Sequence, residues 1–179
     1  TKAGGDRLAY SYYVTYGLPI VIVRPFNNYG PRQHQEKVIP RFITQALSGE
    51  ALTIHGDGHA SRDWLYVDDD AEAIETIIAA DIDGLAGEVV NVATGIDISV
   101  RDVADAVLEA VGVEAEKVFV DERLGQVDRH IGSTDKLERL TGWRARTSFE
   151  QGLEKTVAWY RENEVWWRAL SARDSVSSS

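Results

Sequence analysis

Residues 25–33, PFNNYGPRQ, combine side chains that bind phosphate or hydroxyl groups with residues that form turns. Asparagine carries a donor and an acceptor in one plane, which suits sugar hydroxyls and phosphate oxygens. Arg32 follows shortly afterwards, and a guanidinium group can bind a phosphate through two parallel hydrogen bonds. The alternative is a plain turn, because Asn, Gly and Pro form turns without any ligand. Local chemistry leaves both interpretations open.

A second candidate is Arg62 in the stretch SRDWLYVDD, between a glycine-rich turn and an apolar strand. The competing interpretation is a surface ion pair with Asp63 or Asp68, which would contribute little to stability. Five cations lie within residues 24–62, against three carboxylates: Arg24, Arg32, Lys37, Arg41 and Arg62. In a chain of net charge −10, this locally basic segment predicts a site for a nucleotide diphosphate.

The histidines predict no metal site. His55 and His59 are four residues apart, but two of the three residues between them are glycines, which disfavour the helix that would aim both rings at one zinc ion. His130, in QVDRHIGS, lies either in the ligand cleft or on the surface.

The composition excludes several classes of protein. It is 44% hydrophobic and 27% charged, which is typical of a globular chain with a substantial core. No long apolar run and no basic leader is present, so we expect neither a membrane span nor export. The absence of cysteine excludes disulfides and thiolate zinc sites, and a cytoplasmic location is expected. The negative charge argues against binding to nucleic acid or to anionic membranes.

The elements that position these residues alternate between helices and strands. Leu8, Tyr12 and Tyr16 recur every fourth residue, which predicts a helix ended by Gly17. The β-branched run PIVIV (19–23) predicts a parallel strand covered on both faces. A second helix is predicted with Ile39 on its apolar stripe, Pro40 in its first turn and Gly49 as its stop. Further helices are predicted after the N-cap candidates at 68–70, from a capping box at Ser99, around 137–140 and from Ser148. Strands are predicted at 51–58, 62–67, 87–95 and 117–122.

Such alternation predicts an α/β fold with at least a partly parallel sheet. In the helix after residues 68–70, the side chains of Ile74, Ile77 and Ile78 are expected to face inward. Ligands of parallel sheets bind beyond the carboxyl ends of the strands. Two strand exits here are unusually polar, RPFNNYG and NVATG, and we expect the ligand site there.

Read together and in order, these stretches resemble the NAD-dependent nucleotide-sugar epimerases and dehydratases of the extended short-chain dehydrogenase/reductase family. The resemblance runs from Thr1 to about Asn163. It is carried by TKAGGDRLA, RPFNNYGPRQHQEKVIPRFITQAL, GDGHASRDWLYVDDDAEAI, GEVVNVATG and TGWRARTSFEQGLEKTVAWY. NNYGP, EKVIP and RDWLYV are most similar to dTDP-glucose 4,6-dehydratases, with UDP-glucuronate decarboxylases and UDP-sugar 4-epimerases close.

The resemblance implies the C-terminal portion of a Rossmann-type enzyme together with a small α/β substrate-binding domain. Residues 1–30 and 84–98 would be the remaining elements of the dinucleotide-binding domain. Residues 31–83 and 99–168 would belong mainly to the substrate domain. Residues 169–179 contain few apolar side chains and are expected to form a disordered tail.

The resemblance also implies residue roles around NAD and a dTDP- or UDP-linked sugar. Lys2 would be the catalytic lysine, which binds the nicotinamide ribose and favours the phenolate of a tyrosine four positions earlier. Pro25 and Phe26 would lie against the nicotinamide, chiefly through their backbone. The implied substrate-binding residues are Asn28, Lys37, Val38, Thr53, Ile54, His55, Arg62, Asn91 and Arg123. Of these, Arg62 and Asn91 would hold the diphosphate, and residues 53–55 would follow the base. At 123–125 the chain has RLG where the family has Arg-Pro-Gly.

That tyrosine, the glycine-rich phosphate loop and the acidic pair of the dehydratases are absent from the 179 residues. We therefore expect a substrate-side half that is inactive alone and does not bind NAD tightly. In a complete protein it would support transient oxidation at C4 of the sugar, as part of a homodimer paired through the first helix. Tyr12, Tyr13 and Tyr16 would serve that contact or the core. The alternative is a truncated, non-catalytic module that binds a nucleotide sugar or mediates association, and the upstream reading frame would discriminate between the two.

Overall fold

The computed structural model of the chain describes residues 1–122 and 125–177, and their contacts divide into two compact units. Unit 1 comprises Thr1–Asn28, Asp63–Ile96 and Ile131–Arg146, and unit 2 comprises Tyr29–Arg62, Asp97–His130 and Thr147–Ser179. The predicted domain boundaries at 30 and 98 lie close to the crossings after Asn28 and Ile96. Residues 63–83 and 131–146, expected in the substrate domain, are grouped with unit 1. The functional assignment of the two units stays a prediction.

Helices and parallel strands alternate along the chain. The helices are α1 (Lys2–Tyr16), α2 (Val38–Ser48), α3 (Val67–Ala79), α4 (Val100–Val111), α5 (Asp135–Thr141), α6 (Phe149–Glu162) and α7 (Glu164–Ser177). The strands are β1 (Ile22–Pro25), β2 (Asn27–Tyr29), β3 (Leu52–His55), β4 (Ser61–Tyr66), β5 (Val89–Val92), β6 (Asp97–Ser99), β7 (Lys117–Val120) and β8 (Arg129–His130). The predicted α/β class is confirmed.

In unit 1, β1 and β5 pair in parallel, with Val23 opposite Val90. The core of unit 1 is formed by Leu65, Ala73, Ile77, Leu85, Val90, Val92, Leu137 and Trp143. The run 19–23 was expected to be covered on both faces, but within the described residues Pro19 is exposed and residues 20–23 are only half-buried. Within the described residues β5 is the partner strand of β1, and α1 contributes no buried side chain.

Helix α1 ends at Gly17 as predicted, because Gly17 adopts the left-handed conformation that stops a helix (φ 65°). Tyr12 and Tyr16 are exposed on α1, and Tyr13 is half-buried. The interpretation of Tyr12 and Tyr16 as core residues is therefore not supported within the described residues.

Helix α3 corrects one expectation about side-chain direction. Ile77 is buried, but Ile74 is 40% exposed and Ile78 is 79% exposed. The inward stripe runs through Asp69, Asp70, Ala73 and Ile77, so Ala73 takes the position that had been expected for a larger side chain. The acidic run 68–70 lies in the first turn of α3, and the N-cap is Tyr66. Negative side chains in the first turn stabilise a helix because they interact favourably with its dipole.

In unit 2, helices α2, α4 and α6 pack together, and β3 pairs in parallel with β7. The buried side chains include Phe42, Ile43, Leu52, Ile54, Val103, Val107, Leu153, Val157 and Tyr160. Both predicted serine caps are confirmed, since Ser99 accepts from the backbone of Asp102 and Ser148 forms a capping box with Gln151. The start of β4 pairs in parallel with β8, with Ser61 opposite Arg129.

Helix α7 extends to Ser177, so the backbone is helical over most of the segment that composition predicted to be a disordered tail. Leu170, Ala172 and Arg173 are good helix formers, which favours this extension. No helix in the described part of the chain combines the length and apolar character that crossing a membrane requires.

Candidate functional site

The two polar strand exits of unit 1 lie side by side. Arg24 is opposite Asn91, and Pro25 is opposite Val92 in the parallel register of β1 and β5. Beyond the strand, the backbone N–H of Phe26 donates to the carbonyl of Val92 at 2.9 Å. Because parallel strands leave a sheet at the same edge, both exits open at the edge where ligands of such sheets bind.

A buried aspartate joins these exits. Asp63, on β4, has no exposed surface. Its Oδ1 accepts from the backbone N–H of Thr94 at 2.9 Å and from the Thr94 hydroxyl at 2.7 Å. Its Oδ2 accepts from the N–H of Gly95 at 2.9 Å and, more weakly, from that of Gly132 at 3.4 Å. The interpretation of Asp63 as a surface ion-pair partner of Arg62 is therefore wrong.

Both asparagines of the NNYG stretch are directed into unit 1. Asn27 Nδ2 donates to the backbone carbonyl of Asp63 at 2.9 Å. Asn28 Nδ2 donates to Asp70 Oδ2 at 2.6 Å, and the Oδ1 atom of Asn28 is buried too. Burial of the Asp70 carboxyl raises its pKa, and the hydrogen bond from Asn28 offsets only part of that rise. The role of Asn28 as a substrate ligand stays a prediction.

The residues predicted to face a nicotinamide differ in exposure. Lys2, at the start of α1, and Pro25, at the end of β1, are exposed. Phe26 is half-buried, and its ring lies against Gly132. Asn91 is half-buried, and its Nδ2 lies 3.4 Å from the carbonyl of Ser133.

The five cations of the predicted basic segment do not share one environment. Arg24 belongs to unit 1, where its guanidinium binds the carboxylate of Asp6 at 2.6 Å. Lys37, in unit 2, pairs with its neighbour Glu36 at 2.8 Å on the surface. Arg41 donates to the carbonyl of Thr53 at 3.0 Å. The guanidinium group of Arg24 is thus paired with a carboxylate of its own unit.

Arg32 and Arg62 are the two remaining cations of that segment. Arg32 is exposed and is the one residue other than glycine with a positive φ among those described, at 64°. Arg62 is half-buried, and its Nη1 donates to the carbonyl of Ser61 at 2.7 Å. Arg62 stands opposite His130 in the parallel pairing of β4 with β8, so the histidine lies beside Arg62.

The β3 strand of unit 2 presents the residues predicted to follow the nucleotide base. Gln45 bonds both the backbone N–H and the hydroxyl of Thr53, at 3.3 and 3.2 Å. Ile54 is fully buried, so only its backbone can reach a ligand. His55 Nδ1 lies 3.1 Å from the carbonyl of Asp121.

Next to His55 is a hollow of about 540 Å³, lined by His55, Gly56, Asp57, His59, Ala60, Glu122, Gln126 and Asp128. Gly56 and Gly58 both have positive φ, so His55 and His59 do not share a helix. Within the described residues no group of three or more histidine or carboxylate side chains is arranged to hold a metal ion. Val38 is half-buried at the start of α2, and Arg123 lies outside the described residues.

A second aspartate network lies in unit 2. Arg129 donates from Nε and Nη2 to the two oxygens of Asp97, both at 2.8 Å, and the Ser61 hydroxyl donates to Oδ2 at 2.6 Å. The hydrogen bonds from Arg129 hold the pKa of Asp97 well below its ordinary value. This network fixes β8, and therefore the backbone of His130, beside the start of β4.

The roles of two residues of unit 1, Asp63 and Gly132, were not predicted from the sequence. A signal was present for Asp63. Side chains alternate along a strand, so Asp63 shares the inward face of β4 with Leu65, and a carboxylate on that face must find donors. No comparable signal marks Gly132, because its importance depends on a ring more than 100 positions earlier in the chain.

Comparison with known proteins assigns the chain to a family. Residues 1–156 match the family described as GDP-mannose 4,6 dehydratase, and the chain belongs to that family. It is 37% identical over 179 residues to the dTDP-glucose 4,6-dehydratase of Streptomyces niveus, covering 99% of this chain and 52% of that protein. It is 42% identical over 161 residues to the low-salt glycan biosynthesis protein Agl12 of Haloferax volcanii, covering 89% of this chain and 51% of Agl12.

A solved structure of similar fold is DesIV, a dTDP-glucose 4,6-dehydratase from Streptomyces venezuelae with NAD and TYD bound. Its TM-score with this chain is 0.88 at 40% identity, and the match covers 94% of this chain and 52% of DesIV. The chain thus spans about half the length of the curated relatives it matches.

Proposed function

We propose that this chain is the substrate-binding, C-terminal portion of an NAD-dependent nucleotide-sugar 4,6-dehydratase or epimerase. The observation that carries the proposal is the pairing of β1 with β5, which brings the exits PFNN and NVATG to one sheet edge in unit 1. Membership of the family and the likeness to DesIV, whose structure contains NAD, support it. The reaction would begin with transient oxidation at C4 of the sugar.

The residues of unit 1 fit a nicotinamide cofactor. Lys2 and Pro25 are exposed, so both can contact a ligand, and the backbone of Phe26 is fixed by its bond to Val92. When bound, NAD would supply the hydride acceptor for the oxidation. Lys2 would hold the ribose and, as a cation, would stabilise the phenolate of a tyrosine supplied from outside these 179 residues.

The residues proposed to bind the nucleotide sugar are distributed over both units. Asn28 and Asn91 belong to unit 1, and unit 2 contains Lys37, Val38, Thr53, Ile54, His55 and Arg62. Arg62 would bind the diphosphate, and Asn91 would help to hold it. Lys37 and Val38 would line the nucleotide cleft, and residues 53–55 would follow the base, with Ile54 contributing only its backbone. Asn28 and Arg123 complete the proposed set.

A homodimer in the cytoplasm is part of the proposal. The exposed apolar side chains of α1, Leu8, Tyr12 and Tyr16, would meet a second copy, since an exposed apolar helix face favours association. The cysteine-free composition agrees with a reducing compartment.

The diphosphate assignment can be tested in the complete protein by measuring the affinity for dTDP- and UDP-sugars by calorimetry. Arg62→Ala is expected to weaken binding by about ten- to a hundredfold, because a charged partner of the phosphate is lost. Arg101→Ala is the matched control, because Arg101 is an exposed cation of unit 2 whose guanidinium lies over the Phe119 ring. Equal affinity in wild type and Arg62→Ala would contradict the assignment.

A further inference from the structure

We propose that Asp63 is a positioning residue for the reaction: by holding Gly132 and the exit of β5, it keeps the ring and backbone of Phe26 in place. The inference rests on the proposed function, in which Phe26 lies against the nicotinamide. Asp63 itself would touch neither substrate nor cofactor, because it has no exposed surface.

The carboxylate of Asp63 is matched to its surroundings. Four donors from two chain segments converge on it: the N–H and hydroxyl of Thr94, the N–H of Gly95 and the N–H of Gly132. An ionised carboxylate has two oxygens that only accept, so it can serve all four donors. An asparagine has one such oxygen, and its NH2 group would point at N–H groups that also donate.

Gly132 connects the hydrogen bonds of Asp63 with the ring of Phe26. A Cβ atom on Gly132 would lie 2.6 Å from the Cε2 and Cζ atoms of the Phe26 ring and 2.9 Å from the Cβ of Ala93. The ring therefore packs directly against the backbone at position 132. The backbone N–H of Phe26 donates to Val92, two residues before Thr94, so this contact and the ring contact with Gly132 lead to segments that Asp63 binds.

Displacing these segments should change the geometry of the reacting groups more than the affinity for the nucleotide sugar. A misplacement of about 1 Å can lower a rate by about a hundredfold. We therefore expect Asp63→Asn to lower kcat by about tenfold or more, while KM for the nucleotide sugar changes by less than about threefold.

The experiment uses the complete, NAD-loaded protein and a nucleotide sugar that it turns over, with activity normalised to correctly folded protein by circular dichroism. Gly132→Ala tests the same path without altering the carboxylate, because its Cβ would push the Phe26 ring, and it should lower kcat similarly. Thr94→Val removes one donor and keeps the backbone N–H, so a smaller decrease in the same direction is expected. This milder variant keeps the test decisive if Asp63→Asn does not fold.

Asp69→Asn is the matched control. Asp69 is another buried carboxylate of unit 1, and its Oδ2 accepts from the backbone N–H of Arg146 at 3.3 Å. It should lower thermal stability and leave kcat unchanged. A merely structural role of Asp63 would give the same result for Asp63→Asn, and unchanged kcat in Asp63→Asn, Gly132→Ala and Thr94→Val would overturn the inference.

A wrong assignment of the proposed function would give a different experimental result from a wrong assignment of Asp63. In that case the wild-type protein would oxidise no nucleotide sugar with NAD, and the inference would fall with it. If wild type is active and all three variants match it, only the inference fails.

Discussion

Asp63 and Asp97 each accept hydrogen bonds from several donors, but they do so in different surroundings. Asp63 is buried in unit 1 and accepts mainly from backbone N–H groups, whose direction is fixed by the main chain. The Asp97 side chain keeps 20% of its surface exposed in unit 2, and its main partner, Arg129, is 64% exposed. Water contacts both Asp97 and Arg129, whereas the Asp63 carboxylate has no exposed surface. Similar contact geometry therefore has different consequences for stability.

The largest effect is expected for Asp63→Asn. The substitution leaves the N–H groups of Thr94, Gly95 and Gly132 facing an amide that also donates, and an unsatisfied buried group costs about 1–3 kcal/mol. We expect the free energy of unfolding to fall by about 2–4 kcal/mol, measured by urea denaturation. A change below about 1 kcal/mol would show that burial does not distinguish the two aspartates.

An intermediate effect is expected for Asp70→Asn, and it depends on pH. Burial raises the pKa of Asp70 above its ordinary value of 3.8, so the folded state holds this proton more tightly than the unfolded state. The stability contributed by Asp70 is complete below the unfolded pKa and is lost as pH rises through the folded pKa. Asparagine does not ionise and keeps an oxygen for Asn28, so it avoids this loss.

The variant Asp70→Asn should therefore gain thermal stability relative to wild type as pH rises from acidic to neutral, with little difference at the acidic end. Melting temperatures across that range measure it. Asp68→Asn is the control, since Asp68 is exposed in the same turn of α3. A gain that is independent of pH would argue against the buried carboxyl as its cause.

The smallest effect is expected for Asp97→Asn. The substitution removes the charge that Arg129 binds through two hydrogen bonds, but both side chains contact water. We expect a slight decrease in melting temperature at low ionic strength and none at high salt, because salt screens exposed charges. If Asp97→Asn destabilised the protein as much as Asp63→Asn, the contrast between the two networks would be wrong.

Much of the fold was predictable because it depends on local signals. Gly17 and Gly49 end α1 and α2, and Ser99 and Ser148 cap α4 and α6, each at the position that the sequence indicated. Such signals act over a few residues. The buried face of α3 was harder to predict. Ile74, Ile77 and Ile78 form a plausible apolar stripe, but the helix buries Ala73 and Ile77 and leaves Ile74 and Ile78 exposed.

The candidate site was predictable in part. The polar exits of β1 and β5 stand out in the sequence, and their parallel pairing is what the structure shows. The partners of the polar side chains were not predictable, because Asn28–Asp70 and Asp63–Thr94 join residues 42 and 31 positions apart. The basic segment illustrates the same limit, since Arg24 is bound by Asp6, which lies outside that segment.

The proposed oxidation of a nucleotide sugar by NAD can be observed in the complete protein. The most direct measurement mixes the complete, NAD-loaded protein with excess dTDP- or UDP-sugar and follows the absorbance of reduced nicotinamide in a stopped-flow experiment. We expect a transient rise in reduced cofactor that decays as the hydride returns to the product. No reduced nicotinamide with any dTDP- or UDP-sugar that the protein binds would contradict it.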